Sequence, residues 1–115
     1  MQRRGLEMEQ QGGDGEFVLS LAGELDIDSS ARLQKAVARL CANGALSRLT
    51  IDLSGLDFID STGLAAIVFA SKLCERCGGE LELIRGPDTV QQVFALTGLA
   101  EHLPFRNAEE AAAID

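Results

Sequence analysis

A single histidine, two prolines and an odd number of cysteines in 115 residues remove several functional classes at once. With His102 alone and no Gly-x-Ser-x-Gly elbow around any serine, a nucleophile, base and acid cannot be assembled for serine hydrolysis. No Gly-rich loop ends in Gly-Lys-Ser/Thr, so nucleotide hydrolysis of the P-loop kind is excluded, and the glycines at 12, 13 and 15 read as a turn. Cys41, Cys74 and Cys77 do not form a disulfide framework, and reduced thiols in the cytoplasm are expected. The longest apolar run, 63–70, falls far short of the roughly 20 residues a spanning helix needs. Met1-Gln2-Arg3-Arg4 carries charge, but 5–9 supply no apolar stretch behind it, so neither export nor membrane insertion is expected.

Basic residues are also outnumbered, 10 against 18 acidic ones, for a net charge of -8. Nucleic acid and anionic membranes reward clustered Lys and Arg, so a protein partner suits this chain better. The length is that of one domain, and 46% hydrophobic residues are enough to build a core.

Residues 1–15 are expected to form a polar N-terminal edge strand and turn, with a short or fraying edge. From 17 to 22, apolar residues on both faces predict a confident strand. Ser29 and Ser30 are placed to cap a helix whose inner positions are Leu33, Val37, Leu40 and Cys41, ending at Asn43-Gly44. Arg32, Lys35 and Arg39 form its solvated outer side. Leu49, Ile51 and Leu53 alternate as a strand, after which 54–60 lead directly into a helix from about Ser61.

That helix is apolar nearly all round until Gly78-Gly79. Leu81 and Leu83 mark another strand, Pro87-Asp88 start a helix facing inward through Val90, Val93, Phe94 and Thr97, and Gly98 ends it. Leu103 and Phe105 flank Pro104 in a short edge strand, and Asn107 with Glu110 suggests a capping box for a last Ala-rich turn. The order β-β-α-β-α-β-α-β-α implies an α/β fold with a mixed, mostly parallel sheet and helices packed against it.

Cys74-Glu75-Arg76-Cys77 has CxxC spacing, yet it lies in the last turns of a helix, where the dipole disfavours a thiolate. With Cys41 and His102 at no zinc-site spacing, half-buried core cysteines are expected, and no metal or cofactor. The polar cluster that does carry a chemical rationale is Asp57, Asp60, Ser61 and Thr62, followed by Gly63. A hydroxyl at a helix start caps free N–H groups, and a phosphate there would face the same donors and the positive end of the dipole.

The run Leu53-Ser54-Gly55-Leu56-Asp57-Phe58-Ile59-Asp60-Ser61-Thr62-Gly63-Leu64 resembles the signature of STAS domains, specifically the bacterial anti-sigma factor antagonists. Gly23-Glu24-Leu25-Asp26 and Phe94-Ala95-Leu96-Thr97-Gly98-Leu99 resemble two further family segments in the same order, so that the likeness covers about 16–113. It implies a single STAS domain over 1–115 that is not an enzyme. Its unphosphorylated form would bind an anti-sigma factor serine kinase and release the sigma factor for transcription, and phosphorylation would reverse this.

By the same resemblance the acceptor is Ser61, with Thr62 second. Asp26, Asp60, Ser61, Thr62 and Gly63 would meet the partner, and a metal-dependent serine phosphatase would restore the hydroxyl. Ala65-Ala66 departs from the glycine often found just after the motif, which leaves less room for a partner's backbone. The alternative within the fold is a non-phosphorylated accessory, either a cytosolic subunit of a lipid transporter or a scaffold in stress signalling. From the enzyme class, the alternative is a redox protein using Cys74 and Cys77.

Overall fold

Residues that alternate in the sequence alternate across a sheet. The computed structural model describes residues 5–44 and 46–108. Strand β1 (Leu6–Gly13) pairs antiparallel with β2 (Glu16–Leu25) over its whole length, from Leu6 opposite Gly23 to Gly13 opposite Glu16. Asp14 and Gly15 join them with φ of 55° and 84°, the left-handed pair that matches strand twist in a two-residue hairpin. Next come α1 (Ser30–Ala42), β3 (Arg48–Ile59), α2 (Ser61–Arg76), β4 (Glu80–Ile84) and α3 (Asp88–Leu96). A short 3-10 turn (Leu99–Glu101) then leads to β5 (Phe105–Arg106). The final Ala-rich turn expected after Asn107 lies outside the described residues.

The five strands lie in sequence order, with β2 to β5 parallel and β1 and β5 at the edges. Each crossover from β2 to β5 therefore advances one strand in the same direction. Right-handed crossovers of that kind place α1, α2 and α3 on one face of the sheet. Burial follows: Leu19, Leu21, Leu25, Leu49, Ile51, Leu53 and Leu83 are buried beneath the helices, while Ser20, Ala22, Thr50 and Asp52 on the other face are only half covered. Because β2 and β3 are parallel, the helices that follow them run the same way. Both begin at the strands' C-terminal edge and end at the opposite pole.

Two features depart from the expected layout. Residues 54–59 continue β3 instead of forming a loop, and the register with β2 shifts between Ser20/Ala22 and Gly23/Glu24. Bulges of this kind bend a strand and turn its later side chains to new directions. Here the burial alternation breaks at Ser54-Gly55, and Phe58 emerges 43% exposed. In addition, Arg32 is not simply solvated: its guanidinium donates to the Leu6 carbonyl at 2.6 Å, tying α1 to the edge strand.

Candidate functional site

The site lies at the pole where α1 and α2 begin, and its frame is a pair of aspartates. Asp60 ends the strand-to-helix connection in an extended conformation and occupies the N-cap of α2. Its Oδ1 accepts from the Gly63 amide at 2.9 Å and from the Thr62 hydroxyl at 2.7 Å, while Oδ2 accepts from the Ile27 amide at 3.2 Å. One carboxylate thus caps α2 and fastens the loop before α1 to it. Partial burial penalises its charge, but the bonds from Thr62, Gly63 and Ile27 outweigh that penalty and hold the carboxyl below its ordinary range.

This arrangement corrects the expectation that Ser61 is the cap. Ser61 is the first helical residue, exposed, and its hydroxyl makes no hydrogen bond among the described residues. Thr62 differs from it in having its hydroxyl committed to Asp60. An acidic cap with a serine after it leaves that serine without a structural duty.

Asp26 performs the matching task for α1. Only 2% exposed, it accepts on Oδ1 from the amides of Asp28 and Ser29 at 3.0 and 3.2 Å, and its carbonyl accepts from the Ser30 amide at 2.8 Å. The Ser29 hydroxyl lies 2.9 Å from the Glu24 carbonyl and accepts from the Asp26 amide at 3.0 Å. Ser29 sits at the N-cap of α1 without making a side-chain cap bond, so the serine expected to cap that helix braces the loop instead. Asp26 is therefore turned into the loop and does not share an open surface with Asp60.

Gly63 is buried and pressed on β2. A Cβ there would overlap the Leu25 carbonyl oxygen and come within 2.8 Å of Ile59. The glycine lets the first turn of α2 lie directly on the sheet, and its contribution is packing.

Two surface residues escaped the sequence reading. Ile27 is 67% exposed beside Asp60, and Phe58, two residues before it, is also open. Ile27 stands between two aspartates, outside any strand or helix period, and such an isolated apolar residue is the one signal that could have marked it. On α2, Ser61, Ala65 and Phe69 follow at one helical spacing and are all exposed, while Ala66 is in the core. The pole therefore presents the Ser61 hydroxyl and the fixed Asp60 carboxylate among exposed apolar side chains, the composition of a protein-docking surface.

A one-sided α/β sheet of this order, with an acid-capped helix start bearing a free serine, defines a STAS-type domain. The chain belongs to the STAS domain family, whose model matches residues 6–112. It is similar to the anti-sigma-B factor antagonist of Bacillus subtilis, with 31% identity over 76% of this chain and 79% of that protein. BtrV of Bordetella bronchiseptica is also 31% identical, over 87% of this chain and 85% of its own. Among solved structures, the anti-sigma factor antagonist SpoIIAA in its unphosphorylated form superposes with a TM-score of 0.77 at 23% identity, covering 92% of this chain and 93% of that one. SpoIIAA has also been solved in a phosphorylated form, which superposes with a TM-score of 0.71 at 22% identity over 93% of this chain and 97% of that one. At these identities the structural likeness speaks for the fold.

Proposed function

We propose that this chain is a cytoplasmic anti-sigma factor antagonist that works by partner switching. Its unphosphorylated form binds an anti-sigma factor that is also a serine kinase, and phosphorylation of Ser61 abolishes the complex. The carrying observation is the division of labour at the start of α2, where Asp60 does the capping and Ser61 keeps an exposed hydroxyl that is unbonded among the described residues. Thr62, tied to Asp60, is the poorer acceptor.

A phosphate on Ser61 would add about -1.5 to -2 charges beside a carboxylate that already occupies the helix start. The dipole favours an anion there by about 0.3 to 1 kcal/mol, so the helix stays intact and the altered property is the docking surface. Like charges brought together across an interface cost several kcal/mol. Ile27 and Phe58 supply the apolar anchors, and Asp26 acts through the loop it holds. A metal-dependent serine phosphatase would return the chain to its binding form, and no nucleic acid takes part.

The test is to incubate the chain with a candidate anti-sigma factor kinase and ATP and map the product by mass spectrometry. One phosphate on residue 61 with loss of the complex is expected. A phosphate elsewhere, or a complex that survives modification of Ser61, contradicts the reading.

A further inference from the structure

At the other pole, where α1 and α2 end, all three cysteines of the chain come together. Cys41 is in the last turn of α1, Cys74 in the last turn of α2, and Cys77 is the C-cap of α2. The Cys41 Sγ lies 3.9 Å from the Leu73 carbonyl oxygen, and that same carbonyl accepts from the Cys77 amide at 3.0 Å, so the end of α1 is packed against the turn that carries Cys77. Cys74 is fully buried, Cys41 half-buried and Cys77 exposed. The CxxC spacing drew attention to Cys74 and Cys77 as a pair, but packing of α1 on α2 gives Cys77 a partner from a different helix. Among the described residues no three such groups are arranged to hold a metal ion.

We propose that Cys41 and Cys77 are a peroxide-oxidisable thiol pair whose disulfide staples the end of α1 to the end of α2. Exposed Cys77 meets the oxidant. Its sulfur attacks hydrogen peroxide, the O–O bond breaks, and the products are a sulfenic acid on Cys77 and one water. The Cys41 sulfur then attacks that sulfenic sulfur, the S–S bond forms as the S–O bond breaks, and the Cys41 proton leaves with the hydroxyl as a second water. Two thiols have lost two electrons and the peroxide has gained two. Cys74, sealed in the core, is out of the oxidant's reach.

The surroundings shape how such a pair behaves. Burial, the Cys77 contact and the neighbouring thiols push Cys41 up to about 12, and the carbonyl ends of two helices disfavour negative charge. A thiol whose ionised form is disfavoured reacts slowly. Cys41 therefore resolves a sulfenic acid slowly, which suits the pair to slow oxidation better than rapid turnover. Because α2 carries Ser61 at its other end, roughly 24 Å away for a 16-residue helix, the staple clamps the switch helix without touching the switch.

The folded chain is treated with excess hydrogen peroxide, quenched in acid, alkylated and mapped by mass spectrometry. A peptide linking Cys41 to Cys77, lighter by two hydrogens and reversed by dithiothreitol, is expected, with Cys74 alkylated. Cys74→Ser should keep the link. Cys77→Ser, at an exposed position, should abolish it and leave the circular dichroism spectrum unchanged, and Cys41→Ser should carry Cys77 on to sulfinic acid. Three alkylated thiols after peroxide, a Cys74–Cys77 link, or a link between two copies would each overturn the proposal. None of these readings depends on what the Ser61 surface binds.

Discussion

At the residue scale, the chemistry turns on which side chain satisfies the first turn of α2. Asp60 does so while also holding the Ile27 amide, so Asp60→Ala should destabilise the protein by about 0.5 to 2 kcal/mol in chemical denaturation, as loss of an N-cap does. The carboxyl also makes stability depend on pH in a definite direction. Its folded-state pKa lies below the ordinary value of 3.8, so on acidification the unfolded chain takes up the proton first. The contribution is complete above the unfolded value and is lost as pH falls through the folded one, and Asp60→Asn should flatten that acid limb of the stability profile.

Ser61 makes no such contribution, so Ser61→Ala should unfold at the same midpoint as the parent chain and still bind the kinase. Asp60, Ser61 and Gly63 were legible as a cluster in the sequence. The assignment of the cap to Asp60 was not, because either residue type can cap and only the backbone conformation at position 60 decides between them.

At the element scale, the loop before α1 and the first turn of α2 form one unit built on two buried or half-buried carboxylates. Asp26→Ala would take away the acceptor of the Asp28 amide and leave the Ser29 amide only the Asp26 carbonyl at 3.2 Å, at about 1 to 3 kcal/mol, and should weaken partner binding through loop disorder. Asp26→Asn, which keeps one acceptor oxygen, should recover part of both losses. Gly63→Ala drives a methyl into the Leu25 carbonyl and should cost about 1 to 3 kcal/mol in a thermal or urea melt. Ile27→Ala should leave stability unchanged and reduce affinity for the partner by more than about 1 kcal/mol in calorimetry, the mark of an exposed apolar anchor.

Element types were readable because the periods of two and 3.6 are strong in β2, α1 and α3. The extension of β3 through 54–59 was not, since a bulge replaces the alternation on which strand recognition depends. The opening of Phe58 to solvent follows from that same bulge.

At the scale of the whole molecule, the sheet order and one-sided helices give the domain two working poles. All strand-to-helix turns from β2 to β4 fall at one pole, where Asp26, Asp60 and Ser61 meet, and the helix ends gather the thiols at the other. Sequence patterns could imply the parallel crossovers but not the meeting of Cys41 with Cys77, because no local period relates residues on different helices. A net charge of -8 favours a basic or mixed partner surface and makes each further negative charge at the docking pole more costly to accommodate.

That added charge drives the switch, and the most direct measurement of it is calorimetric titration of the anti-sigma factor kinase with the chain before and after stoichiometric phosphorylation of Ser61. An affinity loss of about a hundredfold or more, equivalent to about 2.8 kcal/mol, is predicted, with an unchanged circular dichroism spectrum. Equal affinity for the two forms would contradict the switch.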